Sequence, residues 1–120
     1  MAAPSQFIGR VMTPFGEALI YVGRYPAGGA IAVQLRARNG EPLGVFSTNL
    51  VPYGGHVADT EFFAKVWSEN ESLAAPMLAS GLFEETGRTL PSGYVRVPIW
   101  RIRNPEHVPP VKKHRRRSLV

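Results

Sequence analysis

The stretch from Ala30 to Leu50 reads Ala-Ile-Ala-Val-Gln-Leu-Arg-Ala-Arg, then Asn39-Gly40, then Glu-Pro-Leu-Gly-Val-Phe-Ser-Thr-Asn-Leu. Ile31, Val33 and Leu35 alternate with Ala32, Gln34 and Arg36, the period of a strand with one buried face. Asn-Gly is the dipeptide that best supplies the two positive φ values of a type I′ turn, so a β-hairpin is predicted. With Asn39 and Gly40 as the loop, Arg38 faces Glu41, Val33 faces Phe46 and Ile31 faces Thr48. A slip of one residue would turn Ile31, Val33 and Leu35 to solvent together, so the hydrophobic pattern itself specifies this register.

Strands flank the hairpin on its amino-terminal side. Gln6 to Met12 is predicted as the first, followed by a turn at Thr13-Pro14-Phe15-Gly16, where proline presets φ and glycine takes the tight return. Glu17 to Tyr25 is rich in β-branched and aromatic residues and stops at Pro26-Ala27-Gly28-Gly29. These strands in sequence make a meander. Pro52, Gly54 and Gly55 then interrupt the chain between Val51 and Ala58. Asp59 is placed to cap a helix starting near Thr60, with Phe62, Phe63, Val66 and Trp67 as its buried stripe. A second short helix is predicted over Leu73 to Ser80, with Pro76 in its first turn and Gly81 closing it in a left-handed conformation.

Beyond that helix, Glu84 to Arg88 and Leu90 to Gly93 read as turns, and Tyr94 to Ile102 as the last strand. Pro98 cannot donate to a ladder and marks that strand as an edge, or as bulged there. The expected fold is α+β: an antiparallel meander sheet of four or five strands, with one or two short helices inserted before the last strand and packed on one face. Residues 1–103 form this single domain, and residues 104–120 are a Pro-rich, basic, flexible tail. There is no internal repeat.

The charge of the chain is carried unevenly. Its net charge is +5, yet five of the fourteen basic residues lie in the run Lys112, Lys113, Arg115, Arg116 and Arg117, leaving nine against nine acidic side chains elsewhere. Asp59, Glu61, Glu69, Glu71, Glu84 and Glu85 cluster where only Lys65 opposes them, whereas Arg24, Arg36, Arg38, Arg96, Arg101 and Arg103 fall in predicted strands. An acidic helical side and a more basic sheet follow.

Several chemistries are excluded or weakened by the residues present. Cysteine is absent, which removes disulfides, thiolate metal sites and thiol nucleophiles together. His56, His107 and His114 share no metal-ligand spacing, so neither metal nor cofactor is expected. Ser47-Thr48-Asn49 with His56 lacks a third catalytic residue, and these side chains are expected to bond the backbone where the strand leaves the sheet. Glu84 and Glu85 are adjacent and do not converge as a catalytic pair would. Gly28-Gly29 and Gly54-Gly55 match neither dinucleotide nor phosphate loops. Tyr21, Tyr25, Arg36 and Arg96 are candidates for a stacking surface on the sheet, of the kind that binds single strands. The amino terminus, Met-Ala-Ala-Pro-Ser-Gln, has no basic or apolar targeting region, and no apolar run approaches the ~18 residues of a membrane helix, so a cytoplasmic protein with no membrane partner is expected.

Four elements also recur together: Ser47, Asn49 and Leu50 at a strand end; Glu61, Phe62 and Phe63; Gly81 and Leu82 with Thr86, Gly87 and Arg88; and Ser92, Gly93 and Tyr94 leading to Pro98, Ile99 and Trp100. In these the chain resembles a small uncharacterised family carried by phages, plasmids and integrated elements of bacteria, over roughly residues 17 to 102. The basic tail departs from the family pattern. The resemblance implies no enzyme activity. It implies a setting in which small proteins inhibit a host defence system, of the anti-CRISPR or anti-restriction type, by binding a protein effector in the bacterial cytoplasm. Glu61, Glu69, Glu71, Glu84 and Glu85 would then dock on a basic nucleic-acid channel. The alternative is a small nucleic-acid-associated accessory protein whose Lys112, Lys113, Arg115, Arg116 and Arg117 contact phosphates. An enzyme or small-ligand binder using the Gly54-Gly55-His56 loop is a third, less favoured, expectation.

Overall fold

A computed structural model describes residues 5–111. The first sheet is the expected meander, in order β1 (Gln6–Thr13), β2 (Gly16–Arg24), β3 (Ile31–Arg36) and β4 (Pro42–Val45). Alternation holds through the middle of β2 and along β3: Ile20, Val22, Ile31, Val33 and Leu35 are buried, while Leu19, Tyr21, Gln34 and Arg36 lie on the other face.

The hairpin holds its predicted register away from the turn. Gln34 pairs with Val45, Leu35 with Gly44, and the Phe46 N–H donates to the Val33 carbonyl at 2.8 Å. At the turn it differs. Ala37 N–H donates to Glu41 O at 2.8 Å, and Gly40, at φ 90°, is the only turn residue in the left-handed region. The loop is therefore a three-residue turn ending in glycine, not the two-residue type I′ form, and the additional residue is absorbed where Arg36 pairs with Pro42 and Leu43 bulges out. Arg38 and Glu41 do not pair. Thr48 does not face Ile31 either, because β4 ends at Val45 and the chain changes sheets.

The second sheet, in order β5 (Ser47–Thr48), β6 (Glu61–Ala64), β8 (Val95–Ile102) and β7 (Phe83–Ser92), is also antiparallel. The single sheet expected from sequence is thus two four-stranded sheets face to face, with one short helix, α1 (Ala74–Ala79), preceded by a 3-10 turn over Ser68–Leu73. This helical segment precedes the last two strands rather than only the last. Pro76 sits in the first turn of α1 and Gly81 follows it at φ 81°, as predicted. The core between the sheets joins Ile8, Val11, Ile20, Val33 and Phe46 to Phe62, Phe83, Trp100 and Ile102, with Leu73 and Met77 closing one side.

The helix expected from Thr60 is strand β6. Phe62 enters the inter-sheet core against Phe83 and Trp100, and Phe63 enters a second core with Ala30, Leu50, Val97 and Ile99 on the reverse face. A strand buried on both faces carries an unbroken apolar run, which matches helical spacing as well as strand spacing. Trp67 only borders the second core, and Trp100 holds the central place. The turn predicted at Glu84 to Arg88 is a wide bulge within β7, where Gly87 takes φ 86° and Thr86 Oγ1 donates to the Ile99 carbonyl at 2.7 Å. Strand β8 is internal rather than an edge, but β6 pairs only with Ile99 to Arg101, so Pro98 has β7 alone as neighbour.

Asn70 is buried in the 3-10 turn, and its amide donates to the Val45 carbonyl of the first sheet at 2.8 Å and to Lys65 O beside the second at 2.9 Å. Asn70→Ala leaves both carbonyls without that partner and is expected to cost ~1 to 3 kcal/mol. Trp100→Ala is expected to cost ~3 to 5 kcal/mol and Trp67→Ala clearly less, as measured by urea unfolding.

Candidate nucleic-acid interface

The outer face of the first sheet carries one continuous cross-strand row. Phe7 on β1 pairs with Tyr21 on β2, Tyr21 with Gln34 on β3, and Gln34 with Val45 on β4. Beside it runs a second row, Arg10, Leu19, Arg36 and Pro42. Phe7 points outward because the chain bulges between Phe7 and Gly9, which sends Ile8 into the core.

Each aromatic ring of this face is paired with its neighbour and with a cation. The Phe7 and Tyr21 centroids are 5.6 Å apart, tilted by 59°, while the Arg36 guanidinium lies 5.2 Å from the Tyr21 ring and that of Arg10 5.8 Å from Phe7. Arg36 also donates to Gln34 Oε1 at 3.1 Å, which turns the Gln34 amide nitrogen away from it. Arg36, Gln34, Pro42, Gly44 and Val45 line a depression of about 210 Å³ at the β4 end of the row. Glu17 lies 3.9 Å from Arg10 and 3.6 Å from Arg38, so these two arginines share one carboxylate, and with Arg36 the cations of this face outnumber it. Phe7 is 46% exposed and Val45 43%. Tyr21 is half-buried. Aromatic rings flanked by guanidiniums can stack bases while the cations meet phosphates.

Of the four residues predicted as a stacking surface, Tyr21 and Arg36 are brought together here and two are not. Tyr25 borders the second core with its hydroxyl 2.9 Å from Ser47 Oγ, and Arg96 bonds Thr89 on the β7–β8 hairpin. Phe7 and Arg10 were missed. Their signal in the sequence is faint: Phe7-Ile8-Gly9 reads as an apolar pair with a glycine, and only the bulge assigns the two side chains to opposite faces.

The acidic residues expected to form one helical side are spread over three elements. Only Glu69 and Glu71 lie on the 3-10 turn; Glu61 is on β6, and Glu84 and Glu85 are on β7. Glu61 and Glu84 flank Arg101 in one cross-strand row, where Glu84 accepts from Arg101 at 2.7 Å. Glu61 is nearly buried, accepts the Ala58 N–H at 2.9 Å and pairs with Arg88. Acid and base are therefore interleaved on the second sheet, which corrects the expected separation of charge. Lys65, 2.7 Å from Glu69, holds that carboxyl at about 2. Glu71 and Glu85 are exposed. Lys112, Lys113, Arg115, Arg116 and Arg117 lie outside the described residues.

Ser47 Oγ accepts the Val33 N–H at 2.9 Å, and Asn49 Oδ1 accepts that of Val51 at 3.2 Å, the backbone role expected of them. Among the described residues no three His, Asp or Glu side chains converge as metal ligands, and no helix is long and apolar enough to cross a membrane. Comparison with protein-family models, curated proteins and solved structures finds no match to this chain.

Burial pushes the Glu61 carboxyl up, but the Ala58 N–H and the Arg88 and Arg101 guanidiniums pull it down by more, so it lies below its ordinary value. Its stabilising effect is thus complete above the unfolded value of about 4.3 and is lost as pH falls through the folded one. Glu61→Gln is expected to lower neutral-pH stability by ~2 kcal/mol. The difference between variant and parent should shrink at about pH 3, as read by urea unfolding at both pH values.

Proposed function

We propose that this protein binds single-stranded nucleic acid, without catalysis, on the outer face of its first sheet. The observation that carries this reading is the pairing of Phe7 and Tyr21 across β1 and β2 with Arg10 and Arg36 against their rings. Two bases stack on the adjacent rings, and a third enters the depression beside Gln34, whose amide nitrogen is directed away from Arg36 and available to a base edge. Arg10, Arg36 and Arg38 supply the positive potential that holds the backbone. Stacking is tolerant of sequence, so such a site suits an accessory protein that covers exposed single strands, including those of a mobile element.

Docking on a host defence effector through the acidic residues has less in its favour. Glu61, Glu69 and Glu84 each face a cation within the protein, so a basic partner would have to compete with Lys65, Arg88 and Arg101.

Tyr21→Ala and Phe7→Ala should each weaken binding of a single-stranded oligonucleotide by ~1 to 3 kcal/mol while the fold, monitored by circular dichroism, persists. Arg10→Ala and Arg36→Ala should each lower the slope of log affinity against log salt by about 0.7, read by fluorescence anisotropy between about 50 and 200 mM salt. Equal affinity for a duplex of the same length, or unchanged binding in Tyr21→Ala, would exclude the site.

A further inference from the structure

The row of side chains that crosses the first sheet continues past its aromatic rings. Tyr21 pairs with Gln34 on β3, and Gln34 with Val45 on β4. Neighbouring strands lie ~4.8 Å apart, so the nucleotide next to the one on Tyr21 meets the depression beside Gln34. Pro42 and Val45 give that depression apolar walls, and Gln34 and Arg36 are the polar side chains that line it. Apolar walls with a few directed polar groups suit the flat face and the edge of a base.

The chemistry of those two side chains decides which edge they read. They stand two residues apart on β3 and share its outer face. A guanidinium has no acceptor, so the Gln34 atom that meets Arg36 Nη2 at 3.1 Å is the oxygen. That leaves the amide NH2 group, with its two donors, for a ligand. Arg36 uses one N–H on this contact, and its Nε is buried without a partner among the described residues. Gln34 and Arg36 therefore offer donors, and the acceptor between them is already engaged.

A glutamine with both amide atoms free pairs with adenine, accepting from N6 and donating to N7. Here adenine would set its N6 amino group against donors. Thymine and uracil place N3–H beside O4, and the N3 and O2 of cytosine share their edge with the N4 amino group. Guanine offers two adjacent acceptors, O6 and N7, on an edge free of donors. We infer that the first sheet is selective at one position and takes guanine in the depression lined by β3 and β4. Gln34 donates to the O6/N7 edge, and Arg36 holds the amide in the orientation that does so. This rests on the sheet reading above and adds a base preference to a surface whose rings are tolerant of sequence.

The test uses the full chain and thymidylates of about six nucleotides with one variable inner residue: thymine, guanine, hypoxanthine, 7-deazaguanine, adenine or an abasic residue. Affinities are read by fluorescence anisotropy. Guanine and hypoxanthine, which share O6 and N7, should bind about tenfold tighter than thymine or adenine. The abasic residue should bind no tighter than thymine, and 7-deazaguanine, which lacks the N7 acceptor, should lose most of the guanine gain. Gln34→Glu keeps the shape and the contact with Arg36 but replaces the NH2 group by an acceptor, so the ratio of guanine to thymine affinity should fall to about one. Arg36→Ala releases the amide, and the preference should move from guanine toward adenine. Equal binding of all probes by a chain that still depends on Tyr21, a gain that 7-deazaguanine retains, or a guanine preference that survives Gln34→Glu overturns the inference and leaves the sheet reading standing. Binding that ignores Tyr21→Ala, or no binding of any probe, overturns both.

Discussion

Phe46 is the residue on which the two sheets turn. Its N–H donates to Val33 in the first sheet and its carbonyl accepts from Lys65 beside the second, at 2.8 and 2.9 Å, so one residue belongs to both hydrogen-bond systems. Its ring meets Trp100 at 5.1 Å in the core between them. Asn70 and Ser47 hold the same crossing from either side, Asn70 through the Val45 carbonyl and Ser47 through the Val33 N–H. A buried backbone that leaves one ladder must find partners in another, and here the change of sheet takes place within one residue. The relative placement of the sheets, and with it which face of each is left open, follows from that crossing.

The two faces left open differ in kind. On the second sheet the charged residues are consumed internally: Glu61, Arg101 and Glu84 alternate across β6, β8 and β7, and Arg88 completes the group over a nearly buried carboxylate. The rest of that face is covered by the second core. On the first sheet Arg10 and Arg38 share Glu17, Arg36 lies against the half-buried Tyr21 ring, and Phe7 is exposed beside it. An aromatic and cationic surface that the protein does not itself cover is suited to a ligand with flat rings and negative charge, which is the argument for single-stranded nucleic acid.

Much of the first sheet was legible because its strands are buried on one side only. The alternation of Ile31, Val33 and Leu35 located β3 and its register with Phe46, and the turn residues at Thr13 to Gly16 located the first hairpin. Part of the site was legible too, since Tyr21 and Arg36 both fall on the polar phase of that alternation. The second sheet was not. Phe62-Phe63-Ala64 is buried on both faces and has no period to read, and Thr86-Gly87-Arg88 carries turn chemistry that serves a bulge inside a long strand. Phe7 and Arg10 escaped notice because a bulge, which the residues do not announce, sets the phase of β1.

The chain by itself determined an antiparallel, cysteine-free domain with a meander at its amino-terminal end and a concentrated positive charge at the other. Those properties depend on neighbouring residues: periodicity, turn chemistry and composition act over a few positions. Only the tertiary structure decided that there are two sheets, that Glu61 and Glu84 are paired with arginines, that Arg24 donates to the carbonyls of Asp59 and Pro109, and that Phe7 meets Tyr21. Each of these joins residues far apart in the sequence, and such contacts are fixed by how the sheets pack, which no local pattern encodes.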